Sequence, residues 1–182
     1  MVPLAGPANR QGRIVADNIV AGMKRKYRGT FGTAVLRLFD LTAACTGANE
    51  KTLRQQGAAF KAVFLHPNHH ASYFPGAQSL AMKLLFSPLD RRLLGAQIVG
   101  KEGVDKRIDV FATALFAGMT VDDLAELELA YAPPFGSAKD PINLAGMAAQ
   151  NVLDGLVDVV QWQELPRLLE NHTLLDVRDS KE

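Results

Sequence analysis

"SLAMKLLFSPLDRRLLGAQIVG", Ser79 to Gly100, is the clearest signal of fold class in the chain. Two short apolar runs, "SLAMKLLFS" and "RRLLGAQIVG", flank "PLD", a connection of hairpin length. Each run is bounded by turn residues and has the content of a strand. Upstream, "FKAVFLH" (60–66) reads as a further strand, and "AVLRLFDLT" (34–42) as another. Between these two, "ANEKTLRQQG" (48–57) reads as a short helix that starts at an Asn cap and stops at glycine. Strands joined by a hairpin or by one short helix pair antiparallel. The expected class is therefore α+β, with an antiparallel sheet of about four to five strands packed with helices.

Downstream the period changes. Val104, Ile108, Phe111, Leu115 and Met119 recur at the spacing of one helix face. "TVDD" from Thr120 has a Thr cap with an acidic residue three positions on. The loop "YAPPFGSAKD" leads to Asp140 as N-cap and Pro141 at the first helical position, with Ile142, Ala145, Ala149, Val152 and Leu156 as the apolar face that follows. Upstream, a first helix is expected from about Asn9 to Lys26, with Ile14, Val15, Ile19 and Met23 on one face, then a break at "GTFGT". Beyond Gly155, "VDVVQWQELPRLLENHTLLDVRDSKE" promises a short helix and a strand, "TLLDVRD", and reads as the opening of a second unit.

Composition bounds the function. The chain has 182 residues, 48% hydrophobic and 21% charged, which suits a globular domain with a core. A net charge of +1 provides no broad field for nucleic acid. The one basic cluster, "MKRKYR" (23–28), is expected at a helix C-terminus, where cations suit the dipole; an anionic partner is the alternative. No apolar run approaches the ~18 residues of a membrane helix, and the N-terminal stretch lacks the charged start and apolar middle of a signal peptide. One cysteine, Cys45, excludes an intramolecular disulfide and fits a reducing, cytoplasmic setting.

Few residues suggest chemistry. In "HPNHH", His66 and His70 are four apart, but Pro67 breaks the helix that would put them on one face, and no acid or thiol completes a shell. No metal site is expected. Cys45 has no CxxC partner and no adjacent cation, so it reads as a buried structural thiol rather than a nucleophile. No GxGxxG opens a helix, and there is no Walker motif and no GxSxG. Two loop tyrosines remain: Tyr73 in "HASYFPGA" and Tyr131 in "LAYAPPFGSAKD", each beside a proline. They are either amphipathic packing residues or a pair of phenolic donors for one anion or sulfur centre.

Taken together, "VPLAGPANRQGRIVADNI", "GTFGT", "FDLTAACTGANEKTL", "HHASYFPGA", "LLGAQIVGKEGVDKRIDV" and "ELAYAPPFGSAKDPINLAG" resemble the C-terminal part of flavin-dependent pyridine nucleotide-disulfide oxidoreductases. Within them, the resemblance is to the single-cysteine branch of CoA-disulfide reductase, NADH oxidase and persulfide reductase. The tail, through "LLDVRDSKE", resembles the start of a fused rhodanese-like domain.

The resemblance implies a fragment of such an enzyme: residues 1–28 as the last helix segment of an FAD-binding domain, 29–156 as the dimerisation (interface) domain, and 157–182 as a truncated rhodanese-like start. It implies a homodimer in which Tyr73 and Tyr131 act as catalytic residues on the partner's cysteine and a CoA-type sulfur. Pro134 and Phe135 would lie against the partner's flavin, and Pro3, Leu4 and Ala5 would pass the flavin of the same subunit. FAD, NAD(P)H and CoA would serve the full-length enzyme, while this chain alone would hold no cofactor tightly and be inactive. The loop "YAPPFGSAKD" lacks the His-Glu pair of glutathione and lipoamide reductases, and "HASYFPGA" has Ser72 and Phe74 around the tyrosine where Gly-Tyr-Tyr is usual. A stand-alone dimerisation module without chemistry is the alternative. The reading frame upstream of Met1 separates the two.

Overall fold

The structure, a computed structural model, describes residues 3–177. Its centre is a five-stranded sheet of order β1-β2-β5-β4-β3 with every neighbouring pair antiparallel. The strands are β1 (Ala34–Leu38), β2 (Leu41–Gly47), β3 (Lys61–Leu65), β4 (Leu80–Phe86) and β5 (Leu93–Gly100). The helices are α1 (Ala5–Val20), α2 (Glu50–Gln55), α3 (Val104–Ala117), α4 (Val121–Glu126), α5 (Pro141–Leu153) and the single turn α6 (Leu165–Leu168). The expected α+β class is what forms.

Side-chain alternation explains the layers. Along β4, Leu80, Met82, Leu84 and Phe86 are all buried, and along β5 so are Ala96 and Ile98. Against this face lie Val104, Ile108 and Phe111 of α3 with Ile142, Ala145 and Ala149 of α5, forming one core. A smaller cluster on the opposite face joins Leu53 of α2 to Ala62 and Leu85. The rest of that face stays open: Leu36, Leu38, Leu41, Phe64 and Val99 are exposed. Leu36 pairs with Ala43, which pairs with Val99, so this apolar strip crosses three strands.

The hairpin behind "SPLD" forms, with Phe86 opposite Leu93, although Arg91 and Arg92 belong to its turn. Arg91 is held there by Asp122 of α4 and by Asp154 at the end of α5. Both expected caps are present. The Thr120 side chain accepts from the N–H of Asp123, whose carboxylate accepts in return from the Thr120 N–H, and Asp140 makes the same reciprocal box with Asn143. Asn49 likewise caps α2.

Several expectations need correction. "AVLRLFDLT" is not one strand. Leu38 pairs with Leu41 across a two-residue turn in which Phe39 takes φ 55°, a conformation few bulky residues adopt. The first helix runs Ala5–Val20 rather than from Asn9 to Lys26. Pro7 is tolerated in its first turn, and the chain closes when Ala21 and Met23 both donate to the Asp17 carbonyl. The basic stretch therefore lies beyond the helix and folds back, with Arg25 ion-paired to Asp17 at 2.8 Å and its backbone bonded to the Asn18 amide. Met119 and Leu156 fall outside α3 and α5, and Leu156 is exposed.

Cys45 is exposed, not buried: Ala44 and Thr46 on either side of it face the core, so the pleat turns its thiol outward. Finally, Thr173–Val177 carries no strand, and Arg178 and Asp179 lie outside the described residues, as does the remainder of "LLDVRDSKE". Leu174, Leu175 and Val177 are exposed with no neighbouring strand to pair them. Among the described residues no helix is long and apolar enough to cross a membrane.

Candidate functional site

Two loops carry the predicted tyrosines, and the fold brings them together. Tyr73 stands in the connection between β3 and β4, where the Phe74 N–H closes a turn on the Ala71 carbonyl at 3.0 Å. Tyr131 lies in the connection between α4 and α5. There the N–H groups of Phe135 and Gly136 both donate to the Ala132 carbonyl, at 2.9 and 3.2 Å, around Pro133 and Pro134. The two phenolic oxygens, 58 residues apart in sequence, are 2.9 Å apart and share a hydrogen bond. A second link lies below it: the Ala71 N–H donates to the Gly136 carbonyl at 2.8 Å.

Both rings reach solvent, Tyr73 being 73% and Tyr131 47% exposed, so neither is a core packing residue. One phenol must donate to the other. The second then keeps its own proton for an acceptor outside the pair. The hydrogen bond to Tyr73 holds the Tyr131 phenol above its ordinary value, with desolvation acting in the same direction.

Under the loops lies a group that pattern reading passed over. Arg107 in the first turns of α3 is 1% exposed. Its Nη2 donates to the His69 carbonyl at 2.6 Å and to Asp140 Oδ2 at 2.8 Å, while its Nε reaches Asp140 Oδ1. It thus grips the segment before Tyr73 and the end of the Tyr131 loop at once. Next to it, Lys106 Nζ donates to the Phe135 carbonyl at 3.3 Å. Room for the grip comes from Gly103 at φ 71°, where a Cβ would sit 2.6 Å from Arg107 Nη1 and 3.0 Å from the His69 Cβ. Arg107 had one sequence signal. It is three residues after Val104 and four before Phe111, a lone cation on an apolar helix face.

The start of the Tyr131 loop is fixed by Asn143. Its amide donates to the carbonyls of Leu124 and Leu127, at 3.1 and 2.9 Å. The histidines serve the loop backbone. His69 Nδ1 accepts from the Gln78 N–H at 3.0 Å, and burial pushes this imidazole below its usual value. His70 is buried with Nδ1 3.0 Å from the Ala71 carbonyl and its ring edge-on to Phe74. Among the described residues no three His, Cys, Asp or Glu side chains gather as metal ligands.

The remaining predicted residues lie elsewhere. Leu4 is the N-cap of α1, between Pro3 and Ala5, and supplies no side-chain cap to the N–H groups of the first turn. Pro134 and Phe135 form the exposed tip of the Tyr131 loop, Phe135 being 72% exposed. Two surface grooves, of about 610 and 890 Å³, include neither tyrosine in their walls.

Comparison with known proteins identifies the domain. Residues 33–141 match the pyridine nucleotide-disulphide oxidoreductase dimerisation domain. The coenzyme A disulfide reductase of Staphylococcus aureus strain Newman is 40% identical over 149 residues, covering 82% of this chain and 34% of that protein. Among solved structures, reduced CoADR-RHD of Bacillus anthracis superposes with a TM-score of 0.91 at 51% identity, over 94% of this chain and 31% of that one. An NAD-dependent persulfide reductase from A. fulgidus gives 0.87 at 40%, over 92% and 31%. The water-forming NADH oxidase of Lactobacillus brevis gives 0.81 at 30%, over 86% and 35%. The chain thus spans about a third of the length of these relatives. By the matched domain and by these identities, the chain belongs to the pyridine nucleotide-disulphide oxidoreductase family and carries its dimerisation domain.

Proposed function

We propose that this chain is the dimerisation part of a flavin-dependent, NAD(P)H-driven reductase of CoA-disulfide or persulfide substrates, or of an NADH oxidase. In this reading, residues 1–28 belong to the FAD-binding domain, 29–156 form the interface domain, and 157–182 begin a rhodanese-like domain. The full-length enzyme works as a homodimer in the cytoplasm. The observation that carries the proposal is the 2.9 Å contact between the Tyr73 and Tyr131 hydroxyls, made between two exposed side chains outside the core. Such a pair suits a sulfur supplied by the partner subunit.

The chemistry asked of these phenols is modest. When a disulfide is cleaved by an attacking thiolate, the leaving sulfur departs with the electron pair and needs a hydrogen-bond donor or a proton. One phenol donates to the other, and the second offers its proton to the leaving sulfur. Polarisation along the two bonds strengthens the outer donor. Pro133 and Pro134 keep it in place by removing freedom from the unfolded loop.

Two features of the chain fit an isoalloxazine ring. The uncapped first turn of α1, behind Pro3 and Leu4, leaves N–H donors for the electron-rich ring edge of the same subunit's flavin, and Phe135 with Pro134 provides an exposed apolar wall for the partner's. Bound FAD would relay electrons from NAD(P)H to the sulfur centre.

The test is Tyr131→Phe in the full-length enzyme, which removes one hydroxyl and little packing. Losing a donor to a charged acceptor costs on the order of 1.5–3 kcal/mol, or roughly ten- to a hundred-fold in turnover. Tyr73→Phe should cost a similar factor, and the double variant should lose less than the product of the two. Full turnover in both single variants and the double one would leave the pair without a chemical role.

A further inference from the structure

We infer that Arg107, together with Asp140, is the positioning residue of the tyrosine pair: it sets the distance between the two phenols by holding both of their loops from inside the protein. The inference deepens the function proposed above and rests on it only for its effect on turnover. Neither tyrosine loop has regular structure, and each is tied down where this one guanidinium reaches. The grip on the first loop is the His69 carbonyl, four residues before Tyr73. On the second it is Asp140, which is simultaneously the N-cap of α5, accepting from the Ile142 N–H at 3.1 Å. A shift of α3 or α5 is thereby passed to both phenols.

The chemistry of the pair favours a geometric role over one in general stability. A buried ion pair gains little over well-packed apolar residues of the same volume, because two charges have lost their water. A Leu or Met here would continue the apolar face of α3. Yet only an arginine has several donors in one rigid plane, able to serve a carbonyl on one loop and a carboxylate on another. Lysine would present one ammonium and lacks the second arm. Gly103 belongs to the same device, since any side chain at that position would strike both Arg107 and His69.

The test separates geometry from catalysis. In the full-length protein, 3-fluorotyrosine is placed at position 131 and its fluorine resonance recorded with and without Tyr73→Phe. The unaltered protein should show a clear shift on losing the Tyr73 hydroxyl. In Arg107→Lys, with flavin content, dimerisation and melting temperature retained, that shift should vanish. Turnover should fall by about the factor seen for Tyr73→Phe, with no further loss when the two changes are combined. Asp140→Asn, which keeps the cap of α5 but loses the charge, should shrink the resonance shift and serves if Arg107→Lys does not fold. An undiminished response to Tyr73→Phe in the folded variant would overturn the inference. Loss of the response with unchanged turnover would uphold Arg107 as the positioning residue and refute instead the chemical role given to the tyrosines.

Discussion

Gly146 sits inside α5, where a glycine normally weakens a helix, yet replacing it should weaken this protein further. Alanine in a helix interior is favoured over glycine by about 0.8–1 kcal/mol, so Gly146→Ala would be stabilising on propensity alone. The packing reverses the sign. A Cβ at this position would lie 2.6 Å from the Ala125 nitrogen, 2.8 Å from the Val121 carbonyl oxygen and 2.9 Å from the Leu124 Cβ. Comfortable contacts are about 3.5–4.0 Å, so α5 would have to retreat from α4 by roughly 1 Å. Two of the three atoms are backbone and cannot rotate aside. Overpacking of this kind costs about 1–3 kcal/mol; with two backbone contacts below 3 Å the upper half of that range applies, leaving a net loss of roughly 1–2 kcal/mol after the propensity gain. The same retreat stretches the Asn143 bonds to Leu124 and Leu127 that anchor the Tyr131 loop. Urea denaturation of the variant should show a lower midpoint at unchanged slope. Gly12→Ala in α1, where a Cβ meets nothing within 4 Å, is the control and should be neutral or stabilising. A Gly146→Ala protein as stable as its parent, or more so, would show that the crossing of α4 and α5 is looser than described.

Two further expectations follow from the site and the sheet. Because the Tyr131 phenol is held above its ordinary value, it stays neutral in the native state beyond the pH at which it would ionise unfolded. Its contribution to stability is present below the unfolded value and disappears as pH rises through the folded one. Phenolate absorbance should therefore show a late-titrating tyrosine that moves toward the ordinary range in Tyr73→Phe, and an unmoved titration would contradict the hydroxyl contact. The exposed strip through Leu36 and Val99 should drive self-association into a two-fold dimer. Sedimentation showing a monomer at every concentration tested would exclude that.

How much of this was legible in the sequence depended on how local each signal is. Thr120 and Asp140 were readable as caps because a capping box lies within four consecutive residues, and both boxes form. The β4–β5 hairpin was readable because two apolar runs and their connection are adjacent. The β1–β2 hairpin was hidden because its turn is Phe39-Asp40. A phenylalanine at φ 55° gives no warning of a reversal, and the run of apolar residues on both sides reads as one strand. Cys45 was misplaced for a related reason. Its face follows from the register of β2, which is fixed only once that hidden turn is known. The start of α1 is obscured by Gly6 and Pro7, both poor helix formers that the first turn tolerates.

The site divides along the same line. Tyr73 and Tyr131 stood out as phenols in proline-bearing loops, but nothing in either loop specifies that the hydroxyls meet. That depends on contacts far apart in sequence: Arg107 reaches 38 residues back to the His69 carbonyl and 33 forward to Asp140. The stiffness of "YAPPFGSAKDP" acquires a physical reason from this arrangement. A loop that must hold a phenol within hydrogen-bond distance of another needs both ends fixed and few conformers between them. Asn143 and Asp140 fix the ends, and Pro133 and Pro134 restrict the middle. A flexible turn of the same length would connect α4 to α5 equally well. It would not hold Tyr131 where Tyr73 can reach it.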